Sequence, residues 1–261
     1  MITAASNSRI KRLVQLNQKS KLRRAEDVFL AEGVKMFLEA PREQLQEVYV
    51  SESFLEKCIC REHLEEVGYE VVSDSVFSKI SDTCTPQGVL CVLKQFHYNI
   101  EEMLRDKAPL FLLLENIQDP GNLGTMLRTG EGAGVSGIIM SRDTVDLYNP
   151  KVIRSTMGSI YRVPFYYADD FAAAVHQVQQ AGVSVYAAHL RGKNSYACQD
   201  YTKGTAFLIG NEGNGLREET AELADCYIRI PMEGKVESLN AAVASSILMY
   251  EAHRQRATLE K

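Results

Sequence analysis

No apolar run in the 261 residues is long enough to cross a membrane as a helix. No uninterrupted apolar run exceeds the five residues of Leu110–Leu114, against the roughly 20 a spanning helix needs. Residues 1–24 lack the apolar centre of a signal peptide, so the chain is expected in the cytoplasm. Metal-ligand spacing is missing too. Cys58 and Cys60 stand one residue apart with no second close pair and no His-x-x-x-His after them, and His63, His97, His176, His189 and His253 are scattered, so no metal is expected. With Cys84, Cys91, Cys198 and Cys226 they read as free thiols of a reducing compartment, Cys91 behaving as a small core residue. What is present is ordinary globular composition, 45% hydrophobic and 24% charged, which excludes disorder, collagen and coiled coil.

The net charge of -5 hides a segregation along the chain. Residues 1–24 hold Arg9, Lys11, Arg12, Lys19, Lys21, Arg23 and Arg24 without one acid, leaving a net -12 for the rest. Such an arm offers phosphates an electrostatic footprint, and it is equally the pattern of a solvated helix face.

The pattern divides near residue 97. Before it, short helices (8–16, 34–40, 54–67) mix with short strands (28–31, 48–51, 71–72, 89–93), a small α/β unit. Residues 98–108 are polar and charged and read as a linker, and 109–261 form the second domain. There strands and helices alternate: strands at 110–114, 137–140, 163–166, 183–187, 206–209 and 227–230, and helices at 123–132, 151–157, 171–180, 217–224 and 239–256. Short strands apolar on both faces require a parallel sheet covered by helices, so the fold class is α/β.

In such a sheet ligands bind beyond the carboxyl ends of the strands. Three loops there are unusual. One runs from Glu115 and Asn116 through Asn122-Leu123-Gly124 to a helix carrying Arg128. Another is Gly210-Asn211-Glu212-Gly213-Asn214-Gly215. A third runs from Ile230-Pro231-Met232 through Gly234 to Ser238-Leu239-Asn240. Neither glycine-rich loop is G-x-G-x-x-G, and no G-x-x-x-x-G-K-[ST] occurs, which argues against the usual dinucleotide and triphosphate cradles. Taken singly, the glycines serve as tight turns, and Asn122 and Ser238 as helix caps.

In this order and spacing, from Asn116 to Asn240, the three loops resemble the motifs of the SpoU (TrmH-like) RNA 2'-O-ribose methyltransferases of the SPOUT superfamily. Ser6-Asn7-Ser8-Arg9-Ile10-Lys11 and Phe29-Leu30-Ala31-Glu32-Gly33 are similar to the RNA-binding N-terminal domain of the ribosomal RNA members. The resemblance implies a C-terminal trefoil knot, S-adenosyl-L-methionine held in it, a homodimer, and methyl transfer to a ribose 2'-hydroxyl of RNA, with large-subunit rRNA favoured and tRNA the alternative. It assigns Asn122, Arg128, Glu212, Ser238 and Asn240 to catalysis, Gly210, Ile230 and Leu239 to main-chain contacts with the cofactor, and the basic arm to RNA. Asn116 is expected to shape the first loop. A guanidinium is a poor base at neutral pH, so Arg128 is read as the anchor of the target phosphate.

Other features have plainer readings. His189 reads as structural or as a neighbour of the cofactor, and 148–159 as either a face towards RNA or a partner or a plain helix start. Ala241, Ala242, Ala244 and Ser245 fit either a dimer interface or core packing. A noncatalytic assembly factor on the same fold would be expected to lose motif residues, and here they are present.

Overall fold

The computed structural model describes residues 1–57 and 60–259; Cys58 lies outside the described residues. The first part contains α1 (Ser8–Gln18), α2 (Ser20–Glu26), β1 (Val28–Glu32), α3 (Val34–Leu38), β2 (Leu45–Ser51), α4 (Glu52–Lys57), α5 (Arg61–Val67), β3 (Glu70–Val72), α6 (Asp74–Ile80) and β4 (Val89–Lys94). There follow α7 (Ile100–Met103), β5 (Leu110–Leu114), α8 (Pro120–Ala133), β6 (Gly137–Ser141), α9 (Pro150–Thr156), β7 (Phe165–Ala168), α10 (Phe171–Gln180), β8 (Ser184–Ala188), β9 (Asn194–Ser195), β10 (Thr205–Ile209), α11 (Glu218–Ala221), β11 (Cys226–Arg229) and α12 (Ala241–Leu259). Among the described residues no helix is long and apolar enough to cross a membrane, and no cluster of His, Cys, Asp and Glu could hold a metal.

Contacts group the chain into two units, Met1–Phe96 with Asp146–Tyr161, and His97–Val145 with Arg162–Lys261. In the first, the sheet order is β1-β4-β2-β3, with β4 antiparallel to β1 and β2, and β2 parallel to β3. Asn7 starts α1 by accepting the N–H of Arg9 at 2.9 Å, and Ile10, Leu13 and Leu16 recur every third residue. That stripe packs with Val76, Phe77 and Ile80 of α6 on Val28, Leu30, Leu90 and Val92 of the sheet. On the opposite side Phe29 meets Tyr148 at 4.8 Å, whose hydroxyl donates to the carbonyl of Phe96 (3.1 Å), and Tyr161 donates to the carbonyl of Met36 (3.0 Å). So 146–161, read from sequence as part of the second domain, completes the first unit. Apolar periodicity marks a segment as buried without saying in which core.

Arg23 needs correction as an RNA contact. It is 3% exposed, donates to the carbonyls of Leu16 (2.6 Å) and Asn17 (3.1 Å), and pairs with Asp146 (2.5 Å), so no phosphate reaches it. Arg9 pairs with Glu70 at 3.2 Å, and Arg12 with Glu26 and Glu47, both at 2.7 Å. The exposed Lys11, Lys19, Lys21 and Arg24 take no ion pair among the described residues.

In the second unit, Ile100 and Met103 of the expected linker are buried in the core with Phe111, Leu113, Val175, Val185 and Leu208. The sheet is parallel throughout the described residues, in the order β7-β6-β5-β10-β8-β11-β9. β5 and β10, buried at every position, lie side by side, with Leu112 opposite Phe207. The next strand in the chain after β5 is β6, on its other flank, so the strand order turns at β5, and a crevice opens where the loops after β5 and β10 part.

Asp119 caps α8 by accepting the N–H of Asn122 at 2.8 Å, Pro120 opens its first turn, and Gly134, with φ +76°, ends it. One G-x-G-x-x-G string does occur, at Gly132, Gly134 and Gly137, but it closes a helix and opens a strand, the reverse of the nucleotide-binding order. The far end of α12 is fastened by Arg256, which donates to the carbonyls of Ala108 (2.8 Å), Pro109 (3.1 Å), Tyr201 (2.9 Å) and Lys203 (2.7 Å).

Candidate active site

The loops after β5 and β10 and the segment before α12 close on a cleft of about 790 Å3, lined by 118–120, Asn122, 211–213 and 238–241. Four of the five expected catalytic residues are there. Their polarity runs in one direction. Asn240 is the cap of α12: its Oδ1 accepts the N–H groups of Ala242 (2.9 Å) and Val243 (3.2 Å), which turns its amide NH2 towards Asn122 Oδ1 at 2.9 Å. Asn122 must then present its own NH2 outward, and gives it to Glu212 Oε1 at 3.0 Å. Glu212 also accepts the N–H of Asp119 (3.0 Å) and of Gln118 (3.1 Å). Burial opposes its charge, but the Asn122 amide and these N–H groups prevail and hold the carboxyl below its ordinary value. A carboxylate so occupied orders the first loop and is ill placed to take a proton.

Ser238 is exposed in the cleft wall, its hydroxyl without a partner among the described residues, and Leu239 is half-buried beside it. Ile230 follows β11, half-buried and outside the lining. Between them, Pro231 to Leu239 form no main-chain to main-chain hydrogen bond among the described residues, which leaves N–H and C=O groups for a ligand. That donor set fits an uncharged heterocycle held by its edge, as expected for the adenine of S-adenosylmethionine.

Gly210 is buried, and a Cβ there would lie 2.2 Å from Gly215 C and Leu216 N, so the missing side chain makes room for the chain's own backbone. Asn116, with φ +55°, does shape the first loop. Its N–H donates to Ser141 Oγ (2.8 Å), and its carbonyl accepts from Asn211 Nδ2 (2.8 Å). Arg128 is not brought into the cleft of its own chain; it is exposed on α8 and takes no ion pair among the described residues. His189 is structural in contacts: its N–H bonds to the carbonyl of Ile228 (3.0 Å), its ring lies 5.0 Å from Tyr227, and burial aided by Arg191 holds it below the usual histidine range. Ala241, Ala242 and Ser245 are buried within the chain, which favours core packing for them.

Gln118, Asp119 and Asn211 line the cleft and were not singled out from sequence. The only signal for Asp119 was its place before a proline at a helix start, and Asn211 resembles any turn asparagine.

A cleft at the switch point of a parallel sheet, walled by amides, a carboxylate and unbonded main chain, is the kind of site an α/β enzyme carries. The chain belongs to the SpoU rRNA Methylase family, whose model matches residues 109–250, and residues 7–91 match the MRM3-like substrate binding domain. It is 32% identical to the 23S rRNA (guanosine(2553)-2'-O)-methyltransferase RlmP of Bacillus subtilis, over 95% of this chain and 97% of that one. It is also 32% identical to the 23S rRNA (guanosine-2'-O-)-methyltransferase RlmB of Bordetella pertussis, over 82% and 91%. The AdoMet-bound rRNA methyltransferase of Sinorhizobium meliloti superposes with a TM-score of 0.83 at 31% identity, covering 97% of both chains.

Proposed function

We propose that this enzyme transfers the methyl group of S-adenosylmethionine to a ribose 2'-hydroxyl of large-subunit rRNA. The observation that carries the reading is the Asn240, Asn122, Glu212 relay beside the unbonded main chain of 231–239. The named 23S rRNA relatives and the substrate-binding domain support rRNA over tRNA.

Bound S-adenosylmethionine supplies an electrophilic methyl on a sulfonium. The chain's part is to position and to exclude. Main chain at Ile230 and Leu239 binds the heterocycle, Ser238 and Asn122 orient the ribose, and Glu212 keeps Asn122 and the first loop in place. Holding the hydroxyl in line with the methyl contributes about 7–11 kcal/mol. Arg128 anchors the target phosphate, and its fixed positive charge lowers the pKa of the nearby 2'-hydroxyl, whose proton leaves to solvent as the oxygen takes the methyl group and the carbon–sulfur bond breaks, a task for a fixed cation rather than a base.

Because Arg128 stands outside its own cleft, the reading includes a homodimer in which α8 and α12 meet a second copy. Val243 and Tyr250, 48% and 49% exposed on α12, supply an apolar face for it. Sedimentation at micromolar concentration should give a dimer; monomer alone would remove this part. The reading also includes the family's knot, for which the placement of β11 between the earlier strands β8 and β9 is the support.

RNA is assigned to Lys11, Lys19, Lys21 and Arg24, with Arg9 and Arg12 already engaged by acids. With labelled S-adenosylmethionine, rRNA should take label while tRNA and DNA do not. Changing those four residues to Ala should weaken rRNA binding and flatten its salt dependence by about 0.7 in logarithmic slope per lost contact, with cofactor binding intact. Label in tRNA alone would overturn the substrate assignment.

A further inference from the structure

Beneath the first loop lies a closed polar ring that the proposed chemistry does not use. Glu115, at the end of β5, is a 1% exposed carboxylate. Its Oε2 accepts the N–H of Arg217 at 2.8 Å, its Oε1 accepts the Thr220 hydroxyl at 2.5 Å, and the Arg217 guanidinium stands 3.6 Å from Oε1. The other arm of that guanidinium pairs with Asp143. Asp143 in turn accepts from Ser141 Oγ at 2.5 Å, and Ser141 Oγ accepts the N–H of Asn116 at 2.8 Å. Asn116 is bonded to Glu115, so the ring closes on the residue whose φ of +55° turns the chain into the cleft loop. Gln118 ties the loop to the same support, its Nε2 reaching the carbonyl of Asp143 (2.5 Å) and Asn116 Oδ1 (2.6 Å).

Two of these groups make the guanidinium indispensable to the ring. A carboxylate as buried as Glu115 needs its charge compensated, since uncompensated burial is costly. Asp143, more exposed, sits on a different loop, so one planar cation joining both carboxylates fixes the loops after β5 and β6 to each other. A lysine offers no such fork.

We propose that Arg217 is a positioning residue for methyl transfer: by compensating the buried charge of Glu115 it keeps the end of β5 in place, and so holds the 116–122 loop, and through it Asn122, in the reacting geometry, its link to Asp143 being a secondary tie. The inference rests on the methyltransferase reading for its kinetic consequence, and on the ring alone for its structural one.

The test compares Arg217→Met with the double variant Glu115→Gln, Arg217→Met in the full-length protein. A glutamine at 115 needs no cation, still accepts the N–H of residue 217, and donates to the Thr220 hydroxyl. The single variant should lower kcat about 10- to 100-fold with KM for rRNA and cofactor affinity unchanged, and the double variant should recover most of the loss. Amide hydrogen exchange at Asn116, Gln118 and Asp119 should rise in the single variant and return in the double one, whatever the acceptor. An unchanged kcat with unchanged exchange overturns the proposal, as does a loss that the double variant does not relieve. A raised KM for rRNA at unchanged kcat would place Arg217 on a phosphate instead, and also overturns it. If the wild type methylates no RNA, the functional reading fails, and exchange alone decides the role of Arg217.

Discussion

Glu212→Ala is expected to lower kcat about 100-fold or more while the protein stays folded. The carboxylate accepts from Gln118 N–H, Asp119 N–H and the Asn122 amide, three donors of the loop that presents Asn122. Without it Asn122 is free to rotate, and Asn240, locked as the cap of α12, holds only one end of the relay. The residue is exposed and the freed N–H groups face water, so the stability cost should be about 1 kcal/mol. Glu212→Gln tests the polarity of the relay: its amide oxygen can keep the Asn122 amide and the Asp119 N–H, while its NH2 must face the Gln118 N–H, so it should rescue only part of the loss. The carboxyl is held below its ordinary value, so its contribution is complete above the unfolded-state value near ~4.3 and is lost as pH falls through the lower folded one. The acid limb of activity belonging to Glu212 should therefore lie below about pH 4.3. Turnover and circular dichroism on the purified variant check both statements; near-normal turnover would remove Glu212 from the site.

Gly210→Ala should damage fold and function together. A Cβ would lie 2.2 Å from Gly215 C and 2.4 Å from Gly215 O, main-chain atoms that cannot swing aside as a side chain does. The loop is closed by Asn211 and Gly215, which exchange main-chain hydrogen bonds of 3.0 and 2.9 Å, and the methyl group must open it. Overpacking of this kind costs about 1–3 kcal/mol, and here it also moves Glu212. Gly213→Ala is the control: the nearest atom to its Cβ would be 3.5 Å away, an ordinary contact. Thermal midpoints of the two variants should separate clearly, and equal midpoints would contradict the packing argument.

How much of this was legible beforehand depended on whether the signal was local. β5 and α10 stand where periodicity put them, Leu110–Leu114 and Phe171–Gln180, because burial on both faces and a 3.6-residue stripe are written in consecutive residues. α2 was missed because four of the seven residues of Ser20–Glu26 are charged and Leu22 and Ala25 are too few to make an apolar stripe, and β9, of two residues, is too short to carry a pattern. The three motif loops could be named from sequence, but their meeting follows from β5 lying beside β10, a non-local pairing no spacing encodes. Arg23 shows the same limit. Its charge reads identically to that of Arg24 next to it, and only the fold shows that one is buried on Asp146 and the other exposed.

The central claim, that the methyl group goes to a ribose oxygen of rRNA, is tested most directly by mapping the nucleotide labelled by the wild-type enzyme and offering an rRNA fragment with a 2'-deoxyribose at that position. The account predicts that the deoxy substrate takes no label, and that Arg128→Ala binds S-adenosylmethionine yet labels even the natural substrate poorly, since only RNA offers the hydroxyl and Arg128 serves its phosphate. Label retained on the deoxy substrate would put the methyl group on a base and contradict the account.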